Sequence, residues 1–113
     1  MNDTIFDKII RKEVPAEIVY EDDLCLAFND VSPQAPIHIL IIPKRSIAKV
    51  SDADTADQNI LGHLLLKAGE IAEILGVKEA FRLVINNGED AGQTVFHLHI
   101  HLLAGRSLNW PPG

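Results

Sequence analysis

Three of the five histidines in this 113-residue chain occupy every second position of one stretch, Thr94-Val95-Phe96-His97-Leu98-His99-Ile100-His101-Leu102-Leu103. Imidazole alternating with Leu98, Ile100 and Leu102 follows the two-residue period of a strand, whose successive side chains point to opposite faces. Val95, Phe96 and Ile100 also favour extended chain. The spacing predicts a strand over this stretch with His97, His99 and His101 on one face, neighbours about 7 Å apart. The intervening apolar residues hold the other face against a core. In a helix the same residues would diverge by about 200° per pair, and no common site would form.

Aligned imidazoles admit three readings. They can be a solvated polar face, they can ligate zinc, as His-x-His on a strand can, or they can do nucleophilic and acid–base chemistry near neutral pH. The preceding segment, Asn86-Asn87-Gly88-Glu89-Asp90-Ala91-Gly92-Gln93-Thr94, is rich in glycine and in neutral hydrogen-bonding side chains. Such groups suit a phosphate or an oxyanion better than a zinc cation, which prefers a further carboxylate or thiolate. The flanks favour chemistry on an anion.

Other segments must position that stretch. Asn2-Asp3-Thr4 offers N-cap side chains before Ile5, Phe6, Ile9 and Ile10, a short helix with one apolar face. Ile18–Glu21 and 24–29 read as hairpin strands around Asp22-Asp23, and Phe6 and Phe28 read first as core. Asp30–Pro36 holds two prolines and is irregular through its middle. His38–Ile42 is apolar enough for a central strand stopped at Pro43. His38 alone would be a hydrogen-bonded structural residue; beside a triad it becomes a partner. Asp30 alone would be a turn cap. Lys44 and Arg45 read as a solvated basic pair.

Asp52 or Asp54 is expected to cap a helix reaching Leu75, with Leu61, Leu64, Leu65, Ala68, Ile71, Ala72 and Leu75 on its apolar face and Gly76 at its C-cap. His63 lies there without a spaced partner and reads as surface or structural. Residues 81–86 form another strand that delivers Asn86 to the loop before the triad. The order of elements gives an α+β domain with an antiparallel sheet.

Length and composition fit one domain, 1–113, with a single core. The net charge of −6 gives no overall attraction to nucleic acid. The lone Cys25 forms no internal disulfide and reads as a buried structural thiol, which fits a reducing compartment. No apolar run reaches about 18 residues, and the N-terminus lacks the plan of a signal peptide. The expectation is a cytoplasmic, enzyme-sized domain with no membrane partner.

Four ordered segments resemble the histidine-triad, or HIT, superfamily: 30–38 followed by Ile41-Ile42-Pro43-Lys44, then Gly92-Gln93-Thr94-Val95-Phe96, the triad itself, and the closing Trp110-Pro111-Pro112-Gly113. The opening Thr4–Ile10 and the closing segment are similar to its HINT branch, the histidine-triad nucleotide-binding proteins. Thr94 stands where serine is more usual and Asn109 where histidine is often seen.

The resemblance implies a HIT fold, a five-stranded antiparallel sheet with two helices, continued across a homodimer. It implies a purine nucleoside phosphoramidase working on AMP or GMP derivatives without metal or cofactor. His99 would be the nucleophile, a backbone carbonyl would fix its tautomer, and His101 would contact phosphate oxygens or help the amine leave. His97 and His38 would orient the site. Asp30 would bind the ribose hydroxyls; Asn86, Gln93 and Thr94 would donate to the phosphate; Phe6, Ile9, Phe28 and Val31 would line the base site. Dinucleoside polyphosphate hydrolysis, nucleotidyl transfer, or a nucleotide- or zinc-binding regulatory role remain the alternatives.

Overall fold

The computed structural model describes residues 3–113, so the capping role expected of Asn2 lies outside the described residues. Five antiparallel strands form one sheet in the order β1-β2-β3-β5-β4: β1 Ile18–Glu21, β2 Cys25–Asn29, β3 Ile37–Pro43, β4 Phe81–Val84 and β5 Ile100–Ala104. Helix α1 spans Ile5–Ile10 and α2 spans Gln58–Ile74. The expected α+β architecture, a five-stranded antiparallel sheet with two helices, is the one observed. No helix is long and apolar enough to cross a membrane among the described residues.

Strand alternation divides the core in two. On one face Cys25, Ala27, Ile39, Ile41, Leu98, Ile100 and Leu102 pack with Ile60, Leu64, Ala68, Ile71 and Ala72 of α2. On the other, Leu26, Phe28, Leu40 and Ile42 pack with Phe6 and Ile9 of α1. A central strand covered on both sides reads as a nearly continuous apolar run, which is why β3 is Ile-His-Ile-Leu-Ile-Ile-Pro.

Local chemistry sets the ends of the helices. Thr4 caps α1 in a reciprocal box with Asp7, whose carboxylate accepts from the Thr4 N–H and hydroxyl at 2.9 and 3.2 Å. Neither aspartate offered for the long helix caps α2 itself: Asp54 caps the short turn Thr55–Asp57 before it, and α2 starts after Asp57, whose side chain makes no capping bond to it. Gly76 follows the helix with φ +77°. Leu65 was expected on the apolar face of α2 but is 53% exposed. The buried stripe runs through Ile60, Leu64, Ala68 and Ile71, and Leu65 lies one residue, about 100°, off it.

The triad segment differs most from expectation. Regular strand begins only at Ile100; residues 95–97 bend, and Leu98 and His99 are irregular. The last β3–β5 pair is Ile41 with Ile100. Beyond it β3 ends in Pro43, whose carbonyl accepts a bond from the His97 imidazole, while the Leu98 N–H turns to the Ile47 carbonyl at 2.7 Å. The ladder is interrupted because a side chain has taken the acceptor that a strand neighbour would use. Strand β4 likewise ends at Val84, two residues before Asn86.

Candidate active site

The alternation of faces survives the bend. Leu98, Ile100 and Leu102 remain on the α2 side, whereas His97 and His99 meet Phe6 of α1, at ring-centroid distances of 6.1 and 5.1 Å. The His99 and His101 rings are 5.0 Å apart. His38 enters from β3, where it pairs with Leu103, and its Nε2 lies 2.9 Å from His101 Nδ1. The four histidines form one connected group.

Their backbone partners fix the tautomers, because a backbone N–H only donates and a carbonyl only accepts. The Gln34 N–H donates to His38 Nδ1 at 3.0 Å, so neutral His38 carries its proton on Nε2 and donates it to His101 Nδ1. His101 in turn carries its own proton on Nε2. His99 Nδ1 donates to the His97 carbonyl at 2.8 Å, leaving His99 Nε2 as a free lone pair. His97 Nε2 donates to the Pro43 carbonyl at 2.8 Å. One nucleophilic nitrogen and one N–H donor therefore stand on adjacent rings.

Burial favours the neutral form of His99, His38 and His101. Desolvation lowers the pKa of His99 below the ordinary histidine value, the neighbouring His97 adds to the fall, and the carbonyl bond opposes it. Burial also lowers His38. His101 falls to about 4, through burial first and then the adjacent His99 and His38. A nucleophilic imidazole must be unprotonated at working pH, and this environment supplies that state.

A cavity of about 430 Å³ opens on His99 and His101 and is lined by Phe6, Ile9, Phe28, Asp30, Val31 and Thr94 among others. That is large enough for a nucleoside-sized ligand. Phe6 and Phe28 are both buried and stack edge to face at 5.5 Å, so they are core residues and cavity wall at once. Val31 is fully exposed at the rim. Asp30 Oδ1 accepts from the Ser32 N–H at 2.8 Å, and its other oxygen lies 3.5 Å from His38 Nε2. A larger and more open hollow of about 560 Å³, lined by Val77, Lys78, Ala80 and Arg106, contains none of the histidines.

Several expected site residues stand elsewhere. His38 and His97 lie behind the cavity-lining imidazoles. Asn86 does not line the cavity and sits against Gly92, whose φ is +99°. Gln93, expected to donate to a phosphate, is buried with its side chain fully engaged. Its Oε1 accepts from the Gly88 N–H at 2.8 Å, and its Nε2 donates to the Ala48 and Val95 carbonyls at 2.8 and 3.0 Å. It has no donor left for a ligand; it braces the loop that presents Thr94. His63 does have a partner, donating to Asp22 at 2.7 Å, and Lys44 and Arg45 pair with Glu21 and Asp57.

Asp30, His38 and His101 lie close enough to share a cation. Both His38 nitrogens and His101 Nδ1 are committed to Gln34 and to each other, leaving His101 Nε2 outward, so the arrangement works as a hydrogen-bond relay. The backbone partners of the relay carry no sequence signal. Asp7, which approaches His97, did carry one in the Thr4-x-x-Asp7 capping pattern.

A model of the HIT domain matches residues 11–108. An "uncharacterized HIT-like protein" of Synechocystis sp. is 65% identical over 111 residues, covering 98% of this chain and 97% of its own. Among solved structures, a HIT family hydrolase from Legionella pneumophila superposes with TM-score 0.95 at 46% identity, covering 96% of this chain and 98% of its own. A histidine triad nucleotide-binding protein from Candida albicans superposes with TM-score 0.82 at 30% identity, over 96% and 82%.

Proposed function

The chain belongs to the HIT domain family, and we propose that it hydrolyses purine nucleoside 5′-phosphoramidates, of the AMP-amide or aminoacyl-AMP type, to the nucleoside monophosphate and an amine. The observation that carries this reading is the free Nε2 of His99, unprotonated, facing the cavity and held by the His97 carbonyl through the opposite nitrogen. The names borne by the Legionella and Candida proteins, a hydrolase and a nucleotide-binding protein, agree with it.

In the reaction His99 Nε2 attacks the α-phosphorus and the P–N bond breaks. The departing amine takes up a proton from solvent at the cavity mouth. The nucleotidyl–imidazole carries a positive charge that the His97 carbonyl stabilises through Nδ1–H. Water then attacks phosphorus, the P–N bond to His99 breaks, and the proton taken up in the first step is released. Two easier displacements replace one difficult one. His101 Nε2–H donates to a phosphate oxygen, oriented by His38, and Thr94 adds a hydroxyl. Preorganised donors of this kind are each worth about 3–4 kcal/mol at the transition state. Asp30 accepts from the ribose hydroxyls, and Phe6, Ile9, Phe28 and Val31 enclose the base. Asn86 acts through the loop it shares with Gly92. No metal takes part.

We also propose a homodimer. Strand β4 is a sheet edge, and Leu65, Leu66 and Ile74 lie exposed on α2, a combination that a partner would cover. Light scattering at micromolar concentration tests this; a monomer would refute it.

The test of function is hydrolysis of adenosine 5′-phosphoramidate after chelator treatment, with His99→Ala alongside. Metal-free turnover that vanishes in the variant while AMP binding persists is expected. No wild-type turnover with AMP binding intact would shift the assignment to dinucleoside polyphosphates, nucleotidyl transfer or a regulatory binding role. Stoichiometric zinc that blocks AMP binding would select the last of these.

A further inference from the structure

One buried polar atom of the triad makes no hydrogen bond: His97 Nδ1, on a ring that is 0% exposed. The ring's other nitrogen is fixed as a donor to the Pro43 carbonyl. Asp7 Oδ1 stands 3.5 Å from the orphan nitrogen. The capping box explains why that oxygen is available, since Asp7 Oδ2 takes both bonds from Thr4.

Two electron pairs facing each other in a buried site repel, and the repulsion is poorly screened there. A proton between them converts the same geometry into a charge-assisted contact. We propose that Asp7 is a positioning residue of the site: it holds a proton on His97 Nδ1, so that a buried imidazolium stands behind His99 and keeps the His99 ring neutral with Nε2 free.

The surroundings fit this reading. Among the described residues Asp7 is the one carboxylate within 4.0 Å of His97. Strand β3 presents the Pro43 carbonyl, α1 presents the Phe6 ring, and His99 is the neighbouring titratable group along the chain. The cavity lining includes Glu17 and Asp30 but, among the described residues, no Lys or Arg. The proton on His97 rests on geometry alone; its consequence for catalysis rests on the hydrolase reading above.

Asp7→Asn is the informative variant. The amide oxygen can still accept from Thr4, and the amide nitrogen can donate to a His97 Nδ1 lone pair, so the shape is kept and the charge removed. The first measurement is ¹⁵N NMR of the His97 ring at neutral pH, which needs no substrate. Both nitrogens protonated in the wild type, with Nδ1 unprotonated in Asp7→Asn, is expected; a singly protonated wild-type ring overturns the proposal. The second is the pH profile of kcat/KM. Without the cation His99 protonates more readily, so the acid limb should move up by about one unit, a loss of roughly tenfold at the acid end. An unmoved limb with the expected NMR result overturns the effect on His99. If the wild type hydrolyses no phosphoramidate, the functional reading fails while the NMR test still decides the proton.

Discussion

Gln93→Leu separates a brace from a ligand donor. The glutamine is buried and makes three hydrogen bonds, to the Gly88 N–H and to the Ala48 and Val95 carbonyls. Leucine fills similar space, leaves no room for a replacing water, and orphans three backbone groups. Each orphaned buried group costs about 1–3 kcal/mol, partly offset by the more apolar side chain, so a net loss of about 3–5 kcal/mol is expected. Against a total of roughly 5–15 kcal/mol for a domain, the variant folds but is weakened. Urea denaturation at constant m-value should read the loss directly, and thermal melting should fall by roughly 10 °C or more. Activity should fall with it, because Thr94 is presented by the same loop. A variant within about 1 kcal/mol of wild type, with KM alone raised, would refute the brace and restore Gln93 as a phosphate donor.

Gly105 has φ +96°, and a Cβ there would lie 2.8 Å from Pro36 Cβ. Gly105→Ala should therefore cost about 2–3 kcal/mol in urea denaturation, from backbone strain plus a contact that must shift; a neutral variant would mean that the segment before β3 gives way freely. Acid should also weaken the fold. The folded pKa values of His38, His99 and His101 lie below the unfolded value of about 6.5, so the unfolded chain binds more protons in between. That stability is complete above pH ~6.5 and is lost as pH falls toward about 4, where His101 titrates. Melting temperature followed from pH 7.5 to 4.5 should drop, and less steeply in His101→Gln; parallel curves would refute the assignment.

Period and chemistry were legible in the sequence where one residue's type decides its face. The alternation of histidine with leucine and isoleucine placed the imidazoles opposite α2 although half of the expected strand is absent. The strand was overestimated because its end is set by Pro43, whose carbonyl bonds to His97, and pairing of that kind leaves no mark in the triad itself. Leu65 failed for a similar reason: a three- and four-residue pattern tolerates one extra leucine beside the stripe. Gln93 was read by type as a donor, whereas burial and three backbone partners determine what it does. The approach of Asp7 to His97 rests on the Thr4-x-x-Asp7 pattern, which in sequence marks only a helix cap.

The central claim is a covalent nucleotidyl–His99 intermediate, and the stereochemical course at phosphorus tests it most directly. A nucleoside phosphoramidate made chiral at phosphorus with oxygen isotopes would be hydrolysed in isotopically labelled water, and the configuration of the product determined. Two successive in-line displacements, the first by His99 Nε2, give overall retention, and retention is expected. Inversion would mean that water attacks phosphorus directly and that His99 is not the nucleophile.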